Sequence, residues 1–153
     1  MRRYSLLKVS SIILIILGAL NLGSVLAVAL DIGRVLGLGL INSLQVYFML
    51  LDKSNIVLLA CYVLGFASGI YGVLSSRRFE RGRVCVILGA VTIALFIAYL
   101  IVAIVEGFSA AYLANGIMGA LFPAMYIAGG VQNMRRAKNG EQPPEEFFGN
   151  RLG

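Results

Sequence analysis

Hydrophobic and polar positions along the chain sort into four long uncharged runs separated by short charged segments. The runs cover residues 9–30, 56–74, 84–105 and 111–131, or 22, 19, 22 and 21 residues, and none contains Asp, Glu, Lys or Arg. A helix rises about 1.5 Å per residue, so each run matches the roughly 30 Å of a bilayer's hydrocarbon. The pattern predicts an all-α integral membrane protein, a four-transmembrane-helix bundle within residues 1–138. Residues 139–153 follow as a tail. Gly140, Pro143, Pro144 and the polar-aromatic cluster Glu145-Glu146-Phe147-Phe148 make it read as disordered and cytoplasmic.

A fifth apolar stretch, residues 35–51, breaks the rhythm. Asp31, Arg34, Asp52 and Lys53 flank it, and Asn42, Ser43 and Gln45 interrupt it. If it crossed the membrane, every later segment would change sides. It contains glycines but no proline, so the expectation is a helix or re-entrant segment at the outer interface. Tyr47 and Phe48 suit headgroup level, although the polar stripe along this stretch is ragged.

Charge decides the threading. Arg77, Arg78, Arg81 and Arg83 crowd the connection between the second and third runs. Loops that stay in the cytoplasm are rich in Lys and Arg, because moving such charges across the bilayer is costly. With that loop inside, only Arg34 and Lys53 of the 13 basic residues lie outside, leaving 11 within. Both termini are then cytoplasmic, in a multi-pass protein of the cell membrane. The first run has a rival reading as a signal peptide, since Ala27-Val28-Ala29 offers a cleavage site. Its 22 residues exceed the usual apolar core of about 7–15, and an uncleaved helix is expected. Arg2 and Arg3 serve as topology determinants rather than as a twin-arginine export signal.

Composition narrows the chemistry. The chain is 59% hydrophobic and 13% charged, against about a quarter charged in a soluble domain. A net charge of +6 would suggest nucleic acid in a soluble protein. Here the positive-inside bias accounts for it, and no nucleic-acid partner is expected. Histidine is absent. Cys61 and Cys85 fall in separate apolar runs, at different depths on this threading, and should stay unpaired. No zinc spacing, phosphate-binding glycine loop or nucleophile–base pair is present, so no metal, cofactor or reaction is assigned.

Small residues recur every four positions in each run: Ala19-Gly23-Ala27, Gly65-Gly69 beside Ser68-Gly72, Ala90-Ala94-Ala98 and Gly116-Ala120-Ala124-Ala128. That spacing lets helix backbones approach closely in lipid, and Gly23, Gly65, Gly69 and Gly116 are the packing candidates. They supply more small faces than one bundle needs, so a homo-oligomer or another membrane protein is an expected partner. Pro123 should kink or unwind the fourth run. Ile16-Leu17-Gly18-Ala19 returns as Ile87-Leu88-Gly89-Ala90, and Gly72-Val73 before Arg77-Arg78 matches Gly130-Val131 before Arg135-Arg136. Two parallel helical hairpins derived by duplication would explain both matches, as would coincidence among apolar words of low diversity.

The polar residues well inside the runs are few: Asn21, Ser24, Ser68, Thr92 and Asn115. Proton-coupled carriers and ion pathways generally need an intramembrane ionisable group, and Asn21, expected to bond across to a neighbouring helix, cannot exchange a proton. Asp31, Arg34 and Glu106 lie near the outer helix ends and form a candidate polar site. Arg77, Arg78, Arg81, Arg83, Arg135 and Arg136 form an inner basic ring, with anionic lipid as its candidate contact. The sequence thus favours a non-enzymatic structural or accessory subunit of a membrane complex, with a small oligomeric transporter or channel as the alternative.

Overall fold

The computed structural model describes residues 6–76, 78, 81–107 and 110–141. Among these residues five helices make up the fold: α1 (Leu6–Leu36), α2 (Leu40–Leu50), α3 (Lys53–Ser75), α4 (Gly82–Gly107) and α5 (Ala110–Lys138). Four of them are long and apolar enough to cross a membrane. Their outward faces carry side chains such as Leu20, Ile101, Ile104 and Ile117, all more than half exposed. So large an apolar surface is comfortable in lipid and not in water. These are the four helices expected from the uncharged runs, each continuing beyond its run at one or both ends.

The overruns have local causes. α1 runs past Asp31 and Arg34 because nothing breaks it before Gly37. There φ is +65°, a left-handed conformation that glycine adopts without a Cβ clash. The Leu38 N–H then donates to the Gly33 carbonyl at 2.9 Å, the six-to-one closure of a Schellman cap. α5 ends the same way. Gly140 has φ +69°, and the Glu141 N–H donates to the Arg136 carbonyl at 3.1 Å. Pro123 is buried inside α5, and the helix continues through it without unwinding.

α2 folds back on the end of α1. Ser43 is fully buried, and a Cβ built on Gly33 would come within 2.5 Å of its Oγ. The Ser43 hydroxyl donates to the Gly39 carbonyl at 2.9 Å. With 11 residues, α2 is about 16 Å long, half the hydrocarbon thickness.

The four long helices close into a ring in the order α1, α3, α4, α5, with α5 returning to α1. The two ends of the ring are packed differently. Toward the connection after α3, glycines bring backbones together. A Cβ on Gly69 would lie 2.8 Å from the Ser11 carbonyl oxygen, and one on Gly129 would lie 2.5 Å from the Leu7 Cα. Gly82 meets the Gly130 carbonyl in the same manner, at 2.6 Å. Leu7, Leu14, Cys85 and Tyr126 fill this end. The opposite end is built from larger side chains, with Phe96 and Tyr99 at the centre of a cluster that Tyr62 and Tyr112 surround. Edge-to-face ring pairs hold it, Tyr62 with Phe96 and Tyr99 with Tyr112, each at 6.3 Å between centroids. Cys61 and Cys85 are both buried and free, and they belong to different clusters.

Candidate functional site

Glycine contact at one end and aromatic packing at the other leave a cavity of about 200 Å³ between the two clusters. All four long helices line it. α1 contributes Leu14, Leu17, Gly18 and Asn21, and α3 contributes Cys61, Tyr62 and Gly65. Thr92 and Phe96 come from α4, and Asn115, Met118, Gly119 and Phe122 from α5. The lining is apolar apart from two amides, a hydroxyl, a thiol and the Tyr62 phenol. It contains no charged side chain.

Three of the five polar residues singled out within the runs meet here, Asn21, Thr92 and Asn115. The other two do not line the cavity. Ser24 is exposed and donates to the Asn21 carbonyl at 2.7 Å. Ser68 is buried, and its carbonyl accepts the Tyr126 hydroxyl at 2.9 Å, tying α5 to α3. Asn21 does not make the expected bond across to a neighbour. Its Nδ2 donates to the Leu17 carbonyl of its own helix at 2.8 Å. Thr92 does likewise, its Oγ1 donating to the Leu88 carbonyl at 2.8 Å. A carbonyl one turn back is always within reach of such a side chain, which satisfies the donor without a partner helix.

The outer polar residues divide into two arrangements. Asp31 and Arg34 form an ion pair one turn apart on α1, at 3.8 Å, with both side chains largely in the open. Glu106 instead reaches from the end of α4 to the start of α3. Its Oε1 accepts the Lys53 N–H and its Oε2 the Ser54 N–H, each at 3.1 Å. Asp52 occupies the N-cap position of α3 but makes no capping bond with its side chain. Glu106 therefore performs that task from another helix. A carboxylate on a helix N-terminus is favourable because the first N–H groups lack partners within the helix.

Of the inner basic residues, Arg78, Arg81, Arg83 and Arg135 are exposed. Arg136 is mostly covered and sits 3.7 Å from Glu141. Arg77 lies outside the described residues, as does the tail from residue 142. The packing glycines also separate. Gly69 meets the α1 backbone, and Gly116 meets Leu100 of α4. Gly65 borders the cavity with only Leu14 nearby, at 3.8 Å, and Gly23 has nothing within 4 Å among the described residues. Among those residues no group of His, Cys, Asp or Glu could hold a metal ion.

Leu17, Cys61, Tyr62, Phe96, Met118 and Phe122 were not legible as site residues. An apolar side chain in an apolar run carries no mark of which face it lies on. The one available signal was that Asn21 and Asn115 are each an isolated amide within an uncharged run. Compared with models of protein families, with curated proteins and with solved structures, the chain matches none.

Proposed function

We propose that this chain is a non-enzymatic, structural or accessory subunit of a membrane complex, with both termini on the cytoplasmic side. The observation that carries this reading is the ring itself. It is closed by glycine contacts and aromatic pairs, and its buried polar groups are hydroxyls and amides that bond largely to helix carbonyls. Such an interior packs and holds a shape. The chemistry suited to recognition lies outside that interior, in the exposed arginines and α2, and the sequence adds the Glu145–Phe148 cluster.

On this threading α2 lies along the outer interface. It is too short to cross, and Ile41, Met49 and Leu50 are each more than 70% exposed, which suits contact with lipid. The two hairpins, α1 with α3 and α4 with α5, support an origin by duplication. Gly18 and Gly89 hold the same place in the repeated words, and each faces its own hairpin partner, Phe66 in one case and Ile127 in the other. The exposed arginines attract anionic headgroups at roughly 1 kcal/mol per basic residue near the surface.

The test removes residues 143–153. A partner that co-purifies with the full chain in mild detergent should be lost, while the bundle keeps its unfolding temperature. The transporter alternative draws on the cavity, where Asn21 and Asn115 could line a path. It is favoured if liposomes holding only this protein show flux that Asn115→Leu abolishes and tail removal leaves intact.

A further inference from the structure

The cavity is closed on one side and open on the other. On α3 and α4 its wall is sealed, with Cys61, Thr92 and Phe96 at 0%, 1% and 3% exposure. On α5 Met118 is 56% exposed and Asn115 is exposed, while Leu17 and Asn21 of α1 are half-buried. The α1–α5 contact is the loosest of the four seams in the ring. Gly129 holds the two helices together at the level of Leu7, about four turns along α1 from Asn21. The mouth therefore opens through the side of the bundle, in a face that a spanning helix presents to hydrocarbon.

From this placement we infer that the cavity holds one hydrocarbon chain of a membrane lipid, which enters sideways between α1 and α5. Four properties of the site carry the inference. The lining has no ionised group, so a charged ligand would lose its solvation without gaining a partner. The volume of about 200 Å³ exceeds the roughly 150 Å³ of an apolar cavity that takes up benzene. It suits a run of methylenes and is far too small for a second protein helix. The mouth faces the phase in which acyl chains are the solvent, so the ligand arrives without crossing water. Asn115 lies five residues into α5, about 8 Å along its axis, where its amide can donate to the neutral carbonyl at the head of the chain. This goes beyond the subunit reading and holds whether or not a partner protein exists.

The test uses the full chain in phosphatidylcholine nanodiscs containing a trace of phosphatidylcholine with a diazirine in its acyl chain. After illumination, adducts are mapped by mass spectrometry. Labelling at Leu17, Met118 and Phe122 should exceed that at Ile97 and Ile101, which are also exposed, by at least fivefold. Gly65→Leu should then lower cavity labelling about fivefold and leave Ile97 and Ile101 unchanged, because a side chain grown from Gly65 has room to enter the cavity. Cys61→Leu fills the same space from a second position if the first variant unfolds. Even labelling over all exposed faces would overturn the inference, as would labelling unaffected by a folded, filled variant. Equal labelling of these residues by a lipid with its diazirine in the headgroup would also overturn it.

Discussion

Two glycines one turn apart in α3 make different contacts, and the difference is measurable. Gly69→Ala would place a Cβ 2.8 Å from the Ser11 carbonyl oxygen. That atom belongs to a helix backbone and cannot swing aside, so α1 and α3 must separate. Overpacking of this kind costs about 1–3 kcal/mol, and a lowered unfolding temperature in detergent is expected. Gly65→Ala meets only Leu14, at an ordinary 3.8 Å, and should be neutral or slightly stabilising because alanine favours the helix. Equal losses for the two would show that the α1–α3 contact is not where the structure puts it. Glu106 allows a second comparison. Glu106→Ala removes the acceptor of the Lys53 and Ser54 N–H groups, so hydrogen exchange in the first turn of α3 should speed up. Asp52→Ala, at the nominal cap, should change that exchange little. The reverse order would refute a cap supplied by α4.

At the scale of elements, α2 decides the topology. The chain between α1 and α3 could have been a fifth span by composition alone. Its helix is limited to 11 residues by the Gly37 turn before it and the extended Leu51 and Asp52 after it. A reporter active only in the cytoplasm should therefore work when fused after Arg83 or Gly153 and fail after Lys53. Activity after Lys53 would mean that the segment crosses the membrane. The helix α1 also continues past the expected span of residues 9–30. Asp31 and Arg34 read as the end of a span, yet they continue the helix, because charge sets where lipid ends and not where hydrogen bonding ends. Only a left-handed residue or a broken bond pattern stops a helix, and Gly37 provides the first.

For the whole molecule, the ring has glycine-to-backbone contacts at one end and aromatic pairs at the other. Leucines at both Gly129 and Gly82 should break the ring at the glycine end, because the contacts there are with the Leu7 backbone and the Gly130 carbonyl. Loss of a monodisperse peak in size-exclusion chromatography is the expected result, and an unchanged profile would place those glycines on a lipid-facing surface. By itself the sequence determined the number of long helices, the uncharged centre of each, the bias of charge to one side and the separation of the two cysteines. These follow from hydropathy and charge, which are properties of each segment alone. Which glycines touch, that Glu106 caps α3, and that Asn21, Thr92 and Asn115 border one cavity were decided by the tertiary structure. The reason is that every face of these helices is apolar, so the chain carries no periodic polar stripe to mark the inward side. Only the fit of small against large side chains, assembled in three dimensions, selects it.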